Sequence, residues 1–224
     1  MREIGIDEAG KGPVIGSMFV AGVLNFDGLK EMGVRDSKRL RPSRREYLAN
    51  LIEEATEVHV VEMTASEIDE GRKRHTLNEI MVELFSAVIM HFQPDRAFVD
   101  AADVKPERFA ANLRSNYEME RGKGEKEIEL ISESKADERY PVVSAASIVA
   151  KVHRDRSVRH LEAEIGVEIG SGYPADPKTI QFLKALLKEK EPGDIPAYVR
   201  RSWKTVERNL SSINSSFIKQ SLYV

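Results

Sequence analysis

Cysteine is missing altogether from the 224 residues, which excludes disulfides, thiolate metal sites and a cysteine nucleophile. A cysteine-free chain suits a reducing, cytoplasmic setting. No run of about 18 apolar residues occurs, so no membrane-spanning helix is expected, and the N-terminus enters a strand-like segment at once, without the pattern of a signal peptide. The chain also lacks an excess of positive charge. Lys and Arg total 34 against 37 Asp and Glu, a net charge of -3, whereas a purely electrostatic nucleic-acid binder is basic overall. Any affinity for phosphate must therefore be local. The five histidines (His59, His75, His91, His153 and His160) are scattered without metal-ligand spacing. No internal repeat or low-complexity segment appears. What remains, 41% hydrophobic and 32% charged residues, is the balance of a folded domain with a buried core.

Ile4 and Ile6 alternate with smaller or polar neighbours over residues 2–7, a strand pattern. Residues 14–24 are almost continuously apolar and read as a second buried strand, with Gly10, Gly12 and Pro13 supplying the turn between them. Tyr47, Leu48, Leu51, Ile52 and Ala55 fall at helical spacing, and Val58 to Met63 read as a third strand. Leu77, Ile80, Met81, Leu84, Phe85, Val88 and Ile89 mark an amphipathic helix that Pro94 ends. Ala97 to Asp100 is a buried strand, Arg108 to Leu113 a short helix, residues 114–127 a charged surface loop or the flanks of a hairpin, and Glu127 to Ile131 a further strand. Residues 141–152, small and apolar, suit a buried helix that continues through Val158, Leu161 and Ile165 with a wetter face. Ile180, Leu183, Leu186 and Leu187 mark another helix, and Trp203 leads into a last one. Strands followed by strand–helix alternation imply an α/β domain with a mixed sheet flanked by helices. Residues 1–165 are expected to form the main α/β domain and 166–224 a helical C-terminal extension packed on it.

The stretch Gly5-Ile6-Asp7-Glu8-Ala9-Gly10-Lys11-Gly12 nearly matches a phosphate-binding P-loop. That reading fails three ways. Gly12 stands where a magnesium-binding hydroxyl is required, Asp7 and Glu8 put negative charge where phosphates would sit, and Pro13 with a strand-like run follows in place of a helix. The alternative is a pair of adjacent carboxylates at a strand end, the oxygen ligands that hard divalent cations require. By itself such a pair is more often a solvated turn. Asp100 shifts the balance, because it closes the apolar run Ala97-Phe98-Val99, and ligands gather at the carboxyl ends of strands. A fourth acid stands at Asp137 or Glu138, before the buried helix. Spacing does not choose between them, and a first-turn helix acid is the plainer reading of either. Asp103, in the following loop, is a weaker candidate than Asp100.

Arg35, Lys38, Arg39, Arg41, Arg44 and Arg45 crowd an 11-residue window with one acid, Asp36. Lys151, Arg154, Arg156 and Arg159 recur on the helix after the small apolar run, and Arg200, Arg201 and Lys204 flank Trp203. Each group alone is an ordinary solvated face. Three on a net-acidic chain, beside clustered carboxylates, read as phosphate tracks around a metal site. Tyr173, in the turn Ser171-Gly172-Tyr173-Pro174, offers a ring that stacks on a sugar or base, or packs under its own loop. Ser37-Lys38 and Ser134-Lys135 look like Ser-Lys dyads only superficially, with no oxyanion-hole motif to accompany them.

Taken in order, Asp7-Glu8-Ala9-Gly10-Lys11-Gly12-Pro13 with Gly16, Asp36-Ser37-Lys38-Arg39-Leu40, Asp100, Lys135-Ala136-Asp137, Ala145 to Lys151 and Ser171 to Pro174 resemble the motifs of ribonuclease HII, the type 2 ribonuclease H. Arg201-Ser202-Trp203-Lys204-Thr205 is similar to the archaeal and eukaryotic branch. The resemblance runs from about residue 3 to 210. Residues 114–127 and the last dozen match nothing in it.

The resemblance implies an RNase H-like fold, with a five-stranded mixed sheet and a helical C-terminal extension. It implies a metal-dependent endoribonuclease, cutting RNA in RNA–DNA hybrids and at ribonucleotides embedded in duplex DNA. It further implies two Mg²⁺ or Mn²⁺ ions held by Asp7, Glu8, Asp100 and Asp137, which decides between Asp137 and Glu138. Gly10, Lys11 and Gly12 are implied to read the ribose 2'-hydroxyl, Tyr173 to sense the RNA–DNA junction, and Lys38 to contact phosphate, with Lys151 beside them as a substrate-binding residue. Lys11 replaces the arginine more usual there and weakens planar, bidentate contacts. A 2'-hydroxyl distinguishes RNA from DNA, and backbone groups approach it closely where no Cβ intervenes. A monomer is expected. The apolar-tipped tail Phe217 to Val224 is either a docking segment for a sliding clamp or, the plainer reading, a frayed or helix-packed terminus. Two other readings stand beside this one: another RNase H-like nuclease, which needs the acids but not Gly10-Lys11-Gly12 or Tyr173, and a catalytically idle nucleic-acid-binding module, which predicts a lost acid.

Overall fold

The computed structural model describes residues 1–34, 40–121, 127–189 and 192–221, with side chains to residue 212 apart from Pro192. The motif residues Asp36 to Arg39, Lys38 among them, lie outside the described residues, as do Gly122 and Gly124. Five strands, β1 (Glu3–Ala9), β2 (Met18–Leu24), β3 (Val58–Met63), β4 (Arg96–Asp100) and β5 (Glu129–Glu133), form one sheet in the order β3-β2-β1-β4-β5. Strand β1 runs antiparallel to β2 and parallel to β4, and β4 runs parallel to β5. The helices are α1 (Pro42–Ala55), α2 (Ala65–Gly71), α3 (Leu77–Phe92), α4 (Pro106–Arg121), α5 (Ala136–Arg139), α6 (Pro141–Ile165), α7 (Pro177–Glu189) and α8 (Lys204–Ser221).

Two compact units result. The first joins Met1–Ala9, Met18–Glu62 and His75–Asp155, and the second joins Gly10–Ser17, Met63–Arg74 and Arg156–Val224. The second therefore takes in not only the tail from 166 but the glycine-rich turn after β1 and the segment around α2.

In the first unit the sheet is covered on both faces. On one, α1 and the small-residue face of α6 bury Ala21, Val23, Leu48, Ile52, Val143, Ala146 and Val149. The approach at β1 is close: a Cβ on Gly5 would stand 2.3 Å from the Val142 carbonyl carbon, so only glycine lets the start of α6 cross there. On the other face, a Cβ on Gly22 would meet Val88 of α3 at 2.3 Å. Helix α3 begins with a reciprocal Thr76–Glu79 capping box, which ties down two otherwise unpaired amides. Phe85 meets Phe109 of α4 edge-on, with ring centroids 5.2 Å apart.

The second unit has its own core, in which Val14, Ile15, Val158, Ile169, Leu183, Leu187, Ile195, Val199 and Val206 are buried together.

Several expectations are corrected. The apolar run from Val14 enters the sheet only at Met18. Val14 and Ile15 are buried by the second unit's core, with Ile15 making an isolated bridge to Val199, so apolarity there reports tertiary packing and not a strand. The helix read over 108–113 is the 16-residue α4. Residues 114–121, read as loop or hairpin flank, continue it, because Phe109, Leu113 and Tyr117 bury one stripe while the charges occupy the rest. Strand β5 lies two residues later than read, and α2 was not anticipated.

Candidate active site

The acids of the first unit are positioned by strand parity. Gly5 pairs with Phe98 across the parallel β1/β4 ladder, and Phe98 packs toward the α6 side. Two residues on, Asp7 and Asp100 have the same parity, so both carboxylates leave the carboxyl ends of adjacent strands on that side. Asp137 arrives from the first turn of α5, after a reversal in which Lys135 takes a left-handed conformation (φ 59°). The Ala136 amide donates to Asp100 Oδ1 at 2.9 Å and fixes that carboxylate against the turn. Asp7, Asp100 and Asp137 each bring a carboxylate oxygen within 4.8 Å of the others. Asp7 and Asp137 are both buried, at 5% exposure. Glu8 has the opposite parity and is half-buried. Its carboxylate is not among the three that converge, although its charge acts on Asp7.

Burial pushes the Asp7 carboxyl up to about 8. The charge of Asp100 adds to that rise, a hydrogen bond from Ser147 opposes it, Glu8 adds to it again and Lys151 opposes it. Lys151 Nζ donates in turn to Ser147 Oγ at 2.5 Å, so α6 delivers a Lys151–Ser147–Asp7 relay to the acids. Lys151, a substrate-binding candidate of the sequence, thus lies beside Asp7 through Ser147. Ser147 was passed over, since a serine inside a small apolar run looks like core filler. A buried acid that would rather hold a proton, facing two further carboxylates, fits a divalent cation. The donors are all hard oxygens, which suit Mg²⁺ or Mn²⁺ and offer nothing to a soft metal.

The remaining substrate-binding candidates that the structure describes lie in the second unit. Gly10 is left-handed (φ 90°), a conformation that favours glycine. A Cβ on Gly12 would meet the Tyr173 ring at 3.3 Å, so Gly12 and the 39%-exposed Tyr173 are neighbours. The two turns are tied by the Gly172 carbonyl, which accepts from the Val14 amide at 2.8 Å. Gly172 is itself held through its own amide by the buried Thr179 hydroxyl (2.9 Å). The basic patch around Trp203 is corrected here. Arg200 is fully buried and bonded to backbone carbonyls, not displayed for phosphate. Arg154 is also buried, and pairs with Asp155 at 3.2 Å.

The donor chemistry of the acid cluster does not by itself name a family, and sequence similarity does. The profile of the family described as Ribonuclease HII matches residues 4–206. The chain belongs to the ribonuclease HII family. The Ribonuclease HII of Methanosarcina barkeri is 52% identical over 212 residues, covering 92% of this chain and 94% of the relative. The crystal structure of the ribonuclease H2 from Pyrococcus horikoshii superposes with a TM-score of 0.84 at 38% identity, covering 96% of this chain and 99% of that one. The structure of the PCNA:RNase HII complex from Archaeoglobus fulgidus gives a TM-score of 0.81 at 40% identity, covering 91% and 95%. The RNase H-like fold is thereby established, and the chain is a metal-dependent endoribonuclease of the ribonuclease HII type. Among the described residues, no helix is long and apolar enough to cross a membrane.

Proposed function

We propose that the enzyme hydrolyses the phosphodiester 5' of a ribonucleotide, both in RNA–DNA hybrids and at single ribonucleotides within duplex DNA, using two Mg²⁺ or Mn²⁺ ions held by Asp7, Glu8, Asp100 and Asp137. The convergence of Asp7, Asp100 and Asp137 at one point carries this reading. Bound divalent ions would supply an activated water and stabilise the departing oxygen.

The protein's own groups do the rest. At a single ribonucleotide the 2'-hydroxyl flanks the phosphate on its 3' side, not the one that breaks, so it cannot be the nucleophile. Water must attack. The P–O3' bond breaks, leaving a 3'-hydroxyl on the upstream strand and a 5'-phosphate on the ribonucleotide. The carboxylates act as ligands and not as general acids. Ser147 and Lys151 favour the ionised form of Asp7 by hydrogen bond and charge. Gly10, Lys11 and Gly12 read the 2'-hydroxyl, Tyr173 senses the junction, and Lys38 holds a phosphate. The tail from Phe217 to Val224 docks on a sliding clamp, a reading supported by the relative solved in complex with PCNA. Residues 222–224 of that tail lie outside the described residues.

The test is a DNA duplex with one embedded ribonucleotide, incubated with Mg²⁺, Mn²⁺ or EDTA beside an all-DNA duplex and a long hybrid. One metal-dependent cut 5' of the ribonucleotide is expected. Cutting of the hybrid alone would remove the roles of Gly10, Lys11, Gly12 and Tyr173. Cutting of neither would return the chain to an idle binding module.

A further inference from the structure

Arg200 is the largest side chain buried completely among the described residues, and a cation in such a place needs a reason. Its guanidinium is surrounded by main-chain oxygens from one short loop. Nη2 donates to Gly10 O at 2.7 Å and Ser17 O at 3.0 Å, Nη1 to Lys11 O at 3.1 Å, and Nε to Gly16 O at 2.9 Å. The Arg200 amide adds a bond to Val14 O at 2.9 Å. Trp203 stands beside it, its ring centroid 4.9 Å from the guanidinium carbon, and its Nε1 donates to Gly12 O at 3.3 Å. The far side of the same strap is anchored too: Asp69 accepts from the amides of Arg201 (2.7 Å) and Ser202 (2.9 Å).

Three successive carbonyls, those of Gly10, Lys11 and Gly12, are therefore bound by Arg200 and Trp203. In a trans peptide the carbonyl and the following amide point in opposite directions, and no cis peptide is present among the described residues. The Lys11 and Gly12 amides are consequently turned away from Arg200, and the Gly12 amide, with Tyr173 packed beside Gly12, is a donor that suits an oxygen acceptor such as a ribose 2'-oxygen. Arginine is required for this and lysine would not replace it. A planar fork of five N–H groups spans both ends of the loop at once, whereas an ammonium offers three donors from a single point.

We propose that Arg200, assisted by Trp203, is a positioning residue for ribonucleotide recognition: it binds the carbonyl side of the Gly10–Gly12 loop and so fixes the amide side toward the substrate. The proposal rests on the reading of that loop as the 2'-hydroxyl sensor. It replaces the phosphate contact that the basic stretch around Trp203 suggests in the sequence.

The test uses the full chain, with Arg200→Lys and Trp203→Phe compared with the unaltered enzyme. Steady-state kcat and KM are measured on the single-ribonucleotide duplex and the long hybrid at several salt concentrations, and Tm is measured for each protein. A misplacement of 1 Å costs about 100-fold in a catalytic step. Arg200→Lys is accordingly expected to lower the single-ribonucleotide to hybrid ratio of kcat/KM by about 10-fold or more. The loss should lie in kcat, with the salt dependence of binding unchanged. Trp203→Phe, which loses one N–H and keeps a ring, is expected to lower the same ratio about 3-fold, in line with one hydrogen bond, with Tm within a few degrees.

Equal losses on both substrates that track Tm would make Arg200 merely structural and overturn the proposal. A salt slope reduced by about one would restore the phosphate role and overturn it equally. If Arg200→Lys does not fold, Trp203→Phe decides by the same ratio. An unaltered enzyme that fails to cut at the single ribonucleotide would sink the underlying reading of the loop, a result distinguishable from selective cutting that the variants leave intact.

Discussion

The carboxylate centre of the first unit and the Gly10–Ser17 loop of the second solve opposite problems. The first must hold like charges together, and it does so on regular elements. The parallel ladder ends at the Ile6–Val99 pair, each one residue before its acid, Asp7 or Asp100, and the first turn of α5 brings Asp137. Geometry is fixed by ladders that exist whatever the side chains are, and the raised Asp7 carboxyl reflects its burial first and the neighbouring Asp100 charge second. The second must hold an irregular loop whose carbonyls no ladder satisfies, and it does so with a buried cation. One centre is negative side chains on a rigid frame. The other is neutral backbone on a charged support. The former suits chemistry, the latter recognition, and the two should respond differently to mutation.

The largest effect is expected from the first unit. Asp7→Asn or Asp100→Asn should reduce cleavage of the single-ribonucleotide duplex and the hybrid alike by about 10³-fold or more, because metal activation is worth several kcal/mol. Binding measured without cleavage should be largely retained. Unaltered turnover in either variant would remove these acids from the site. Next comes the second unit, where Tyr173→Ala should lower activity on single ribonucleotides about 10-fold and on long hybrids much less, as stacking is worth about 1–3 kcal/mol. Equal loss on both substrates would erase the division between chemistry and recognition.

A smaller, diagnostic effect concerns pH. The Asp7 carboxyl stands at about 8 in the metal-free fold against an ordinary 3.8. Below about pH 4 both folded and unfolded chains hold this proton. As pH rises from there toward 8 the unfolded chain releases it and the fold does not, so this contribution to metal-free stability declines and then levels off. A divalent cation displaces the proton. Mg²⁺ should therefore raise Tm more at pH 8.5 than at pH 6, by a few degrees in a thermal melt, and its binding at pH 6 should release a proton to buffer. A pH-independent gain would contradict the burial of Asp7. Smallest of all, deletion of Phe217 to Val224 should leave cleavage of free substrates unchanged within about 2-fold, while abolishing co-elution with an archaeal sliding clamp. Retained co-elution would move the docking segment elsewhere.

How far these two regions could be read in advance follows from the same contrast. Asp100 was readable because a strand-end acid after Ala97-Phe98-Val99 has a local signature. Asp137 was not separable from Glu138, because a four-residue α5 offers no periodicity to tell inward from outward. The resemblance to ribonuclease HII made that choice. Arg200 was misread as surface charge, since its partners are carbonyls 183 to 190 residues away, and carbonyls leave no trace in residue type. Val14 and Ile15 looked like strand for a related reason: apolarity reports burial, and here the burial belongs to the second unit. Helix α4 was cut short because its charges obscured a stripe of only three buried residues.

The central claim, that a water-dependent cut is placed by recognition of a ribonucleotide, is tested most directly by end-group analysis of the products from a duplex with one embedded ribonucleotide. The account predicts a single metal-dependent break, with a 3'-hydroxyl on the upstream DNA and a 5'-phosphate on the ribonucleotide. A break on the 3' side of the ribonucleotide, or a 2',3'-cyclic phosphate that persists in EDTA, would mean that the 2'-hydroxyl is the nucleophile and would contradict it.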